Sequence, residues 1–186
     1  HRTSRRQRQM CIRDRASMVC DLTLGKEKWE AGWAIAHDVH EMAAPMLNRA
    51  MELATEDSNA FDRVMEGYAM PKNSDEEKDV RSKAIRTATL NAAEVPFETA
   101  RLALGLLEAL PQLARDGNAN AVTDVGVAGL LASAAAKGAL FNVDINLAGL
   151  PDDMAASLKT QSQIVGERTR IASRAVMDEV RARMTG

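Results

Sequence analysis

Residues 74–117 read SDEEKDVRSKAIRTATLNAAEVPFETARLALGLLEALPQLARDG, and this stretch decides the fold. Ser74 with Glu77 three residues on forms a capping box, in which each side chain serves the other's backbone N–H. Asp75 and Glu76 add negative charge to the same first turn, where the helix dipole favours it. The helix that starts here is expected to run to about Arg115, to kink at Pro96 and to end at Gly117. Upstream, Met18, Leu22, Trp29, Trp33 and Ala36 fall at helical spacing, and Met42, Met46, Leu47, Ala50, Met51 and Leu53 continue it. Pro45 should kink that run or begin a new helix. A further helical stretch carries Phe61, Val64, Met65 and Tyr68 and stops before Pro71. Downstream, Asn118 or Asn120 is placed to cap a helix rich in small residues (Gly126, Ala128, Gly129, Ala132, Ala134 to Ala136). Pro151 with Asp152 and Asp153 opens a last amphipathic helix reaching about Met184. Phe141 to Leu147 is the only candidate strand.

Composition agrees. Of 186 residues, 46% are apolar, 27% charged and only 3% aromatic, with 32 alanines and ten methionines. That balance favours helices over a β-sandwich or barrel. It also argues against intrinsic disorder. The expected fold is all-α: one domain, a multi-helical bundle with long, partly kinked helices over residues 16–186. No apolar run is expected to approach the ~18 to 20 residues of a membrane span, so a transmembrane protein is excluded on this reading and no membrane partner is expected. Two cysteines, Cys11 and Cys20, are too few for a disulfide scaffold and fit a reducing, cytoplasmic setting.

The formal net charge of −2 is unevenly spread. Residues 1–15 carry six arginines against one aspartate, whereas the rest holds 18 basic and 25 acidic residues. A basic arm can serve nucleic acid. Here, however, Arg8 to Asp14 resembles translated sequencing-adapter sequence. Residues 1–15 are therefore read as a non-native or disordered basic leader that adds nothing to folding, and native sequence is expected from about Ala16, its own N-terminus missing. No nucleic-acid partner is expected.

The Walker loop, GxGxxG, GxSxG and CxxC signatures are absent. His37 and His40, beside Asp38 and Glu41, sit on one helical face, but the spacing is not HExxH and suits a solvated face better than a metal site. Cys20 and Met42, Met46 and Met51 read as core packing. More informative are polar residues where a plain bundle would not place them. Asp57 to Phe61 precedes a helix and Met70-Pro71-Lys72 closes it. Gly117 to Asn120 leads into Thr123-Asp124 within a small, apolar helix, and Phe141 to Leu147 threads Asn142, Asp144 and Asn146 through an apolar segment. Each alone suits a cap or a turn; together they suggest a polar pocket between helices.

In family order, Met18 to Lys26, Asp57 to Phe61, Met70 to Ser74, Val95 to Phe97, Gly117 to Val127 and Phe141 to Leu147 resemble the cyclodeaminase/cyclohydrolase family. That family comprises the deaminase half of formiminotransferase-cyclodeaminase and the stand-alone bacterial methenyltetrahydrofolate cyclohydrolases. The resemblance covers about residues 16 to 185. It implies an all-helical, dimeric cytosolic enzyme acting on the one-carbon bridge of tetrahydrofolate, with no metal and no cofactor beyond that folate. The proline-, glycine- and serine-rich turn with which the family begins is replaced here by residues 1–15.

Both family reactions pass through a tetrahedral carbon between two nitrogens and need a proton acceptor and a donor. On the resemblance, Asp124 and Asp57 are the candidate carboxylates and Lys72 assists proton transfer. Lys26 meets the glutamate carboxylates of a folate, possibly polyglutamylated, while Asn118, Asn142 and Asn146 read the pterin's amide edge. Stand-alone length favours cyclohydrolase. The alternatives are a formimidoyltetrahydrofolate cyclodeaminase that releases ammonia, and a helical interaction module without catalysis.

Overall fold

The computed structural model describes residues 2–185, with side chains from Ile12 onward. In chain order the helices are α1 (Arg2–Thr23), α2 (Trp33–Ala43), α3 (Met46–Ala69), α4 (Asp75–Asp116), α5 (Val122–Leu147) and α6 (Asp152–Thr185). Short 3-10 turns occupy Glu27–Gly32 and Ala119–Ala121. No strand occurs among the described residues. Phe141 to Leu147 is helical, with Val143 and Leu147 buried and Phe141 and Ile145 exposed, a four-residue phase that fits a helix and not a strand.

α4 is the hub, packing against α2, α3, α5 and α6. Its capping box forms as expected: the Glu77 N–H donates to Ser74 Oγ at 3.1 Å and the Ser74 N–H donates to Glu77 Oε2 at 3.2 Å. The helix runs unbroken through Pro96 and Pro111 for 42 residues, about 63 Å at ~1.5 Å per residue. Gly117 ends it, its N–H donating to Leu113 O at 3.0 Å, yet with φ −76° it needs no left-handed conformation. Crowding selects glycine there, since a Cβ would sit 2.5 Å from Leu113 O. Leu106, Leu107, Leu110 and Leu113 of α4 form the centre of the core with Val19, Val39, Val125, Val143 and Val176. Each such side chain contributes roughly 1.5–3 kcal/mol on burial.

The small residues of α5 let α6 approach closely. A Cβ on Gly129 would lie 2.7 Å from Val176 Cγ1, and one on Gly126 would lie 3.3 Å from Val180 Cγ1. By length and composition the segment Ala119–Leu147 could cross a membrane, contrary to the sequence reading. Half of its apolar window is buried, and α1, α4 and α6 pack against it, which places it as the core helix of this bundle.

Two boundaries differ from expectation. The helical run from Met18 to Ala36 is broken after Thr23, where Gly25 takes φ +69°, a conformation open to glycine at no steric cost. Asp57 to Phe61 opens no helix but lies inside α3, because buried Leu53 and Ala60, seven apart, carry one helical phase straight through it. Pro45 does precede a new helix, α3.

Within the expected leader, the side chains of residues 1–11 lie outside the described residues. Ile12 does not behave as a leader residue: it is 1% exposed, joining Ala16, Val19 and Thr23 on the buried face of α1. Packing therefore begins upstream of Ala16.

Beyond Ala60, α3 and the first half of α4 form a projecting hairpin. Only Gly67 is buried between residues 61 and 92, and Phe61, Met65, Tyr68 and Val80 are exposed. The two helices touch where a Cβ on Gly67 would meet Ile85 Cγ1 at 3.0 Å. Arg81 reaches back to donate to Tyr68 O at 3.1 Å while lying over the Tyr68 ring.

Candidate functional site

Five chain segments converge at one end of the bundle, around Thr23. Its hydroxyl donates to Val19 O at 2.7 Å and accepts the Asn118 N–H at 3.0 Å, and the Asn118 amide donates to Leu22 O at 2.8 Å. The indole of Trp33 donates to Thr23 O at 3.1 Å. Gly32 packs against the C-terminus of α4, where a Cβ would fall 2.4 Å from Asp116 O. From α6, Arg183 donates to Gly117 O at 3.2 Å and stacks on Trp29, which Lys28 also approaches. These contacts fix the α4–α5 turn on the end of α1 and so position the first turn of α5.

Asp124 stands in that first turn, where the α5 dipole favours a carboxylate. Its side chain is 27% exposed and pairs with Arg15 of α1, itself 43% exposed. Lys26 lies at the same end, exposed in the turn that follows α1. Asp124, Asn118 and Lys26 thus lie in segments that meet at one end of the bundle, with Asn118 acting as a tie: its amide is spent on Leu22 and its carbonyl accepts the Asn120 N–H at 3.0 Å.

The other expected residues lie elsewhere. Asn142 and Asn146 sit on α5 about 27 and 33 Å farther along the axis, at ~1.5 Å per residue from Asp124. Asn142 donates to Gly138 O at 3.2 Å, and Asn146 donates to Ala92 O of α4 at 3.1 Å, pinning the two helices. Asp57 is half-buried within α3, and Lys72 is exposed at the hairpin turn. One chain therefore does not gather all seven into one pocket. A groove on α3 lined by Met51, Glu52, Thr55 and Glu56 contains none of them.

His37 faces Glu41 at 3.8 Å and His40 faces Asp21 at 3.7 Å, all exposed. Among the described residues no group of three or more His, Cys, Asp or Glu could hold a metal. Burial, with Asp21 adding to it, pushes the Cys20 thiol up to about 12, so it is a core group rather than a nucleophile. Sequence reasoning missed Arg15, Thr23 and Arg183. Thr23 carried a signal, closing the buried phase of Ile12, Ala16 and Val19; Arg15 and Arg183 carried none, since their partners lie far along the chain.

A family model described as formiminotransferase-cyclodeaminase matches residues 15–164. The methenyltetrahydrofolate cyclohydrolase of Methylorubrum extorquens is 38% identical over 136 residues, covering 73% of this chain and 65% of that protein. The formimidoyltransferase-cyclodeaminase of Mus musculus is 31% identical over 142 residues, covering 75% of this chain and 26% of that protein. The chain thus spans under two thirds of the first relative and about a quarter of the second. The crystal structure of formiminotetrahydrofolate cyclodeaminase from Thermotoga maritima superposes with a TM-score of 0.82 at 23% identity, covering 97% of this chain and 87% of that one. At that identity the likeness concerns the fold.

Proposed function

The chain belongs to the formiminotransferase-cyclodeaminase family, and from that premise we propose that it hydrolyses 5,10-methenyltetrahydrofolate to 10-formyltetrahydrofolate. The observation that carries this reading is the Asp124 carboxylate, held at a helix N-terminus, part-exposed and already facing a planar cation. Water adds to the cationic methenyl carbon, and a carboxylate beside it both accepts the water's proton and opposes the positive charge. The tetrahedral carbon then releases N5, which takes up a proton, and the formyl group stays on N10. No electron is transferred and no oxidation state changes, so the chemistry asks for no redox cofactor, and none beyond the folate belongs to this proposal.

Lys26, at the same end as Asp124, is assigned to the glutamate carboxylates. Asp57, inside α3, and Lys72, at the hairpin turn, keep their proposed roles across a subunit boundary. A homodimer is accordingly part of the proposal, supported by the exposed Phe61, Met65, Tyr68, Phe141 and Ile145, which a second copy would cover. The setting proposed is the cytoplasm.

The second reading is the ammonia-releasing cyclodeaminase, a lyase in which N10 attacks the formimidoyl carbon; the name of the mouse protein favours it. One assay separates the readings. The full chain is mixed with methenyltetrahydrofolate, and the loss of near-ultraviolet absorbance is expected. Ammonia release from 5-formimidoyltetrahydrofolate without that loss would move the assignment to the cyclodeaminase. Neither signal would leave a helical interaction module.

A further inference from the structure

We propose that the Asp124 carboxylate is a seat for a planar, delocalised N–C–N cation, and that Arg15 of the same chain fills this seat until such a ligand displaces it. The inference rests on the folate reading only for the identity of the natural ligand. Arg15 reaches Asp124 from a different helix, Nη1 to Oδ1, and both side chains remain part-exposed, so the pair lies where a small ligand can exchange with it. A guanidinium is a carbon whose nitrogens share one positive charge in a plane, matched in shape to a carboxylate. An amidinium bridge, N–CH–N, spreads the same charge over the same plane with two nitrogens. A carboxylate that holds the first in cis offers the same oxygens to the second in trans. Arg183 of α6 donates to Gly117 O and stacks on Trp29, whereas Arg15 is the cation paired with Asp124 and so the internal competitor. The fraction of molecules in which Arg15 has left then scales the apparent affinity for the ligand, while at saturation Arg15 is displaced and turnover is untouched.

Formamidinium, the smallest N–CH–N cation, is the probe. It is titrated as the chloride into the full chain and into Arg15→Gln, at ionic strength matched with sodium chloride, and followed by backbone amide shifts of residues 122–126. Arg15→Gln is expected to bind it saturably and about two- to fivefold more tightly than the unaltered chain, the range that a part-exposed ion pair supplies. Adding Asp124→Asn to Arg15→Gln abolishes the shifts. With methenyltetrahydrofolate, Arg15→Gln lowers KM by about the same two- to fivefold and leaves kcat unchanged. Arg15→Lys, which keeps the charge but loses the planar fork, falls between the two and guards against a variant that merely loosens α1; circular dichroism checks the fold of each. Equal formamidinium affinity in the unaltered chain and Arg15→Gln, shifts that survive Asp124→Asn, or a KM that rises in Arg15→Gln would each overturn the proposal. A chain that binds formamidinium in the expected pattern but converts neither folate keeps the seat and loses the proposed function. A chain that converts folate with no difference between Arg15 variants keeps the function and loses the seat.

Discussion

Asp124 is joined to a partner 109 positions away, and its substitution separates chemistry from architecture. Asp124→Asn keeps the shape and removes the charge and proton acceptor. Steady-state kinetics should show turnover reduced ~10²-fold or more, as for loss of a general base. Stability should change little, because a part-exposed ion pair contributes only about 0.2–1 kcal/mol, and thermal unfolding should shift by no more than roughly 4 °C. A large loss of stability with normal turnover in the surviving protein would make Asp124 a strut. Cys20 gives the residue-scale pH dependence. Its thiol, ordinarily at 9.0, is raised to about 12 in the fold, so the folded state holds its proton more tightly than the unfolded state. The stability this contributes is complete below pH 9 and declines as pH rises towards about 12, with the slope set by the extra proton bound in the fold. In a Cys11→Ser background, a thiol reagent at pH 8 should leave Cys20 unmodified until denaturant is added; prompt modification of the native protein would contradict its burial. At this scale the sequence named Cys20 correctly as a core group by type and neighbours, but it could not name Arg15 as the partner of Asp124. Pairing across helices depends on how two faces are rotated, and nothing local records that.

Elements were more legible than their joints. The Ser74–Glu77 box, the end of α4 at Gly117 and the start of α3 after Pro45 all rest on chemistry within a few residues, and the helices obey it. Asp57, Ser58 and Asn59 have the residue types of a helix start, yet tertiary burial of Leu53 and Ala60 holds α3 continuous. The small residues of α5 signalled close approach without saying to what. The answer is α6, and Gly129→Ala tests it. Helix propensity alone would favour alanine by about 0.8–1 kcal/mol. Its Cβ would meet Val176 Cγ1 at 2.7 Å, where Val176 is fully buried. Overpacking of that kind costs roughly 1–3 kcal/mol, so the net effect should be destabilising. Thermal unfolding should show a lower melting temperature, restored in large part by adding Val176→Ala. A rise in melting temperature for Gly129→Ala alone would mean that α5 and α6 are not packed this closely.

At the scale of the whole molecule, the sequence implied one polar pocket, whereas one chain distributes the candidates over both ends of α5 and the hairpin. Sequence order gave no distance, and helices of this length turn a modest separation in number into tens of ångströms. The arrangement carries a prediction about assembly. Phe61 is 63% exposed, and Phe141 and Ile145 are each 73% exposed, more apolar surface than a lone helical hairpin and core helix usually leave to water. Sedimentation should find a dimer at micromolar concentration, and Phe141→Glu or Phe61→Glu should shift it towards monomer while circular dichroism stays helical. A monodisperse monomer for the unaltered chain would remove the route by which Asp57 and Lys72 approach Asp124.

The turn at residues 70–74 belongs to a different ledger from the rest of the chain. Nothing from Tyr68 to Ala92 is buried, so this stretch has no core to lose. Foreign sequence spliced into it, such as a short affinity tag or a flexible glycine–serine insert, should be accommodated without refolding the bundle. The same insert, if the hairpin meets a second copy, would obstruct the encounter. Such a chimaera would be a protein that folds normally and fails only in company, and this offers the experimenter a single position at which folding and assembly can be altered independently.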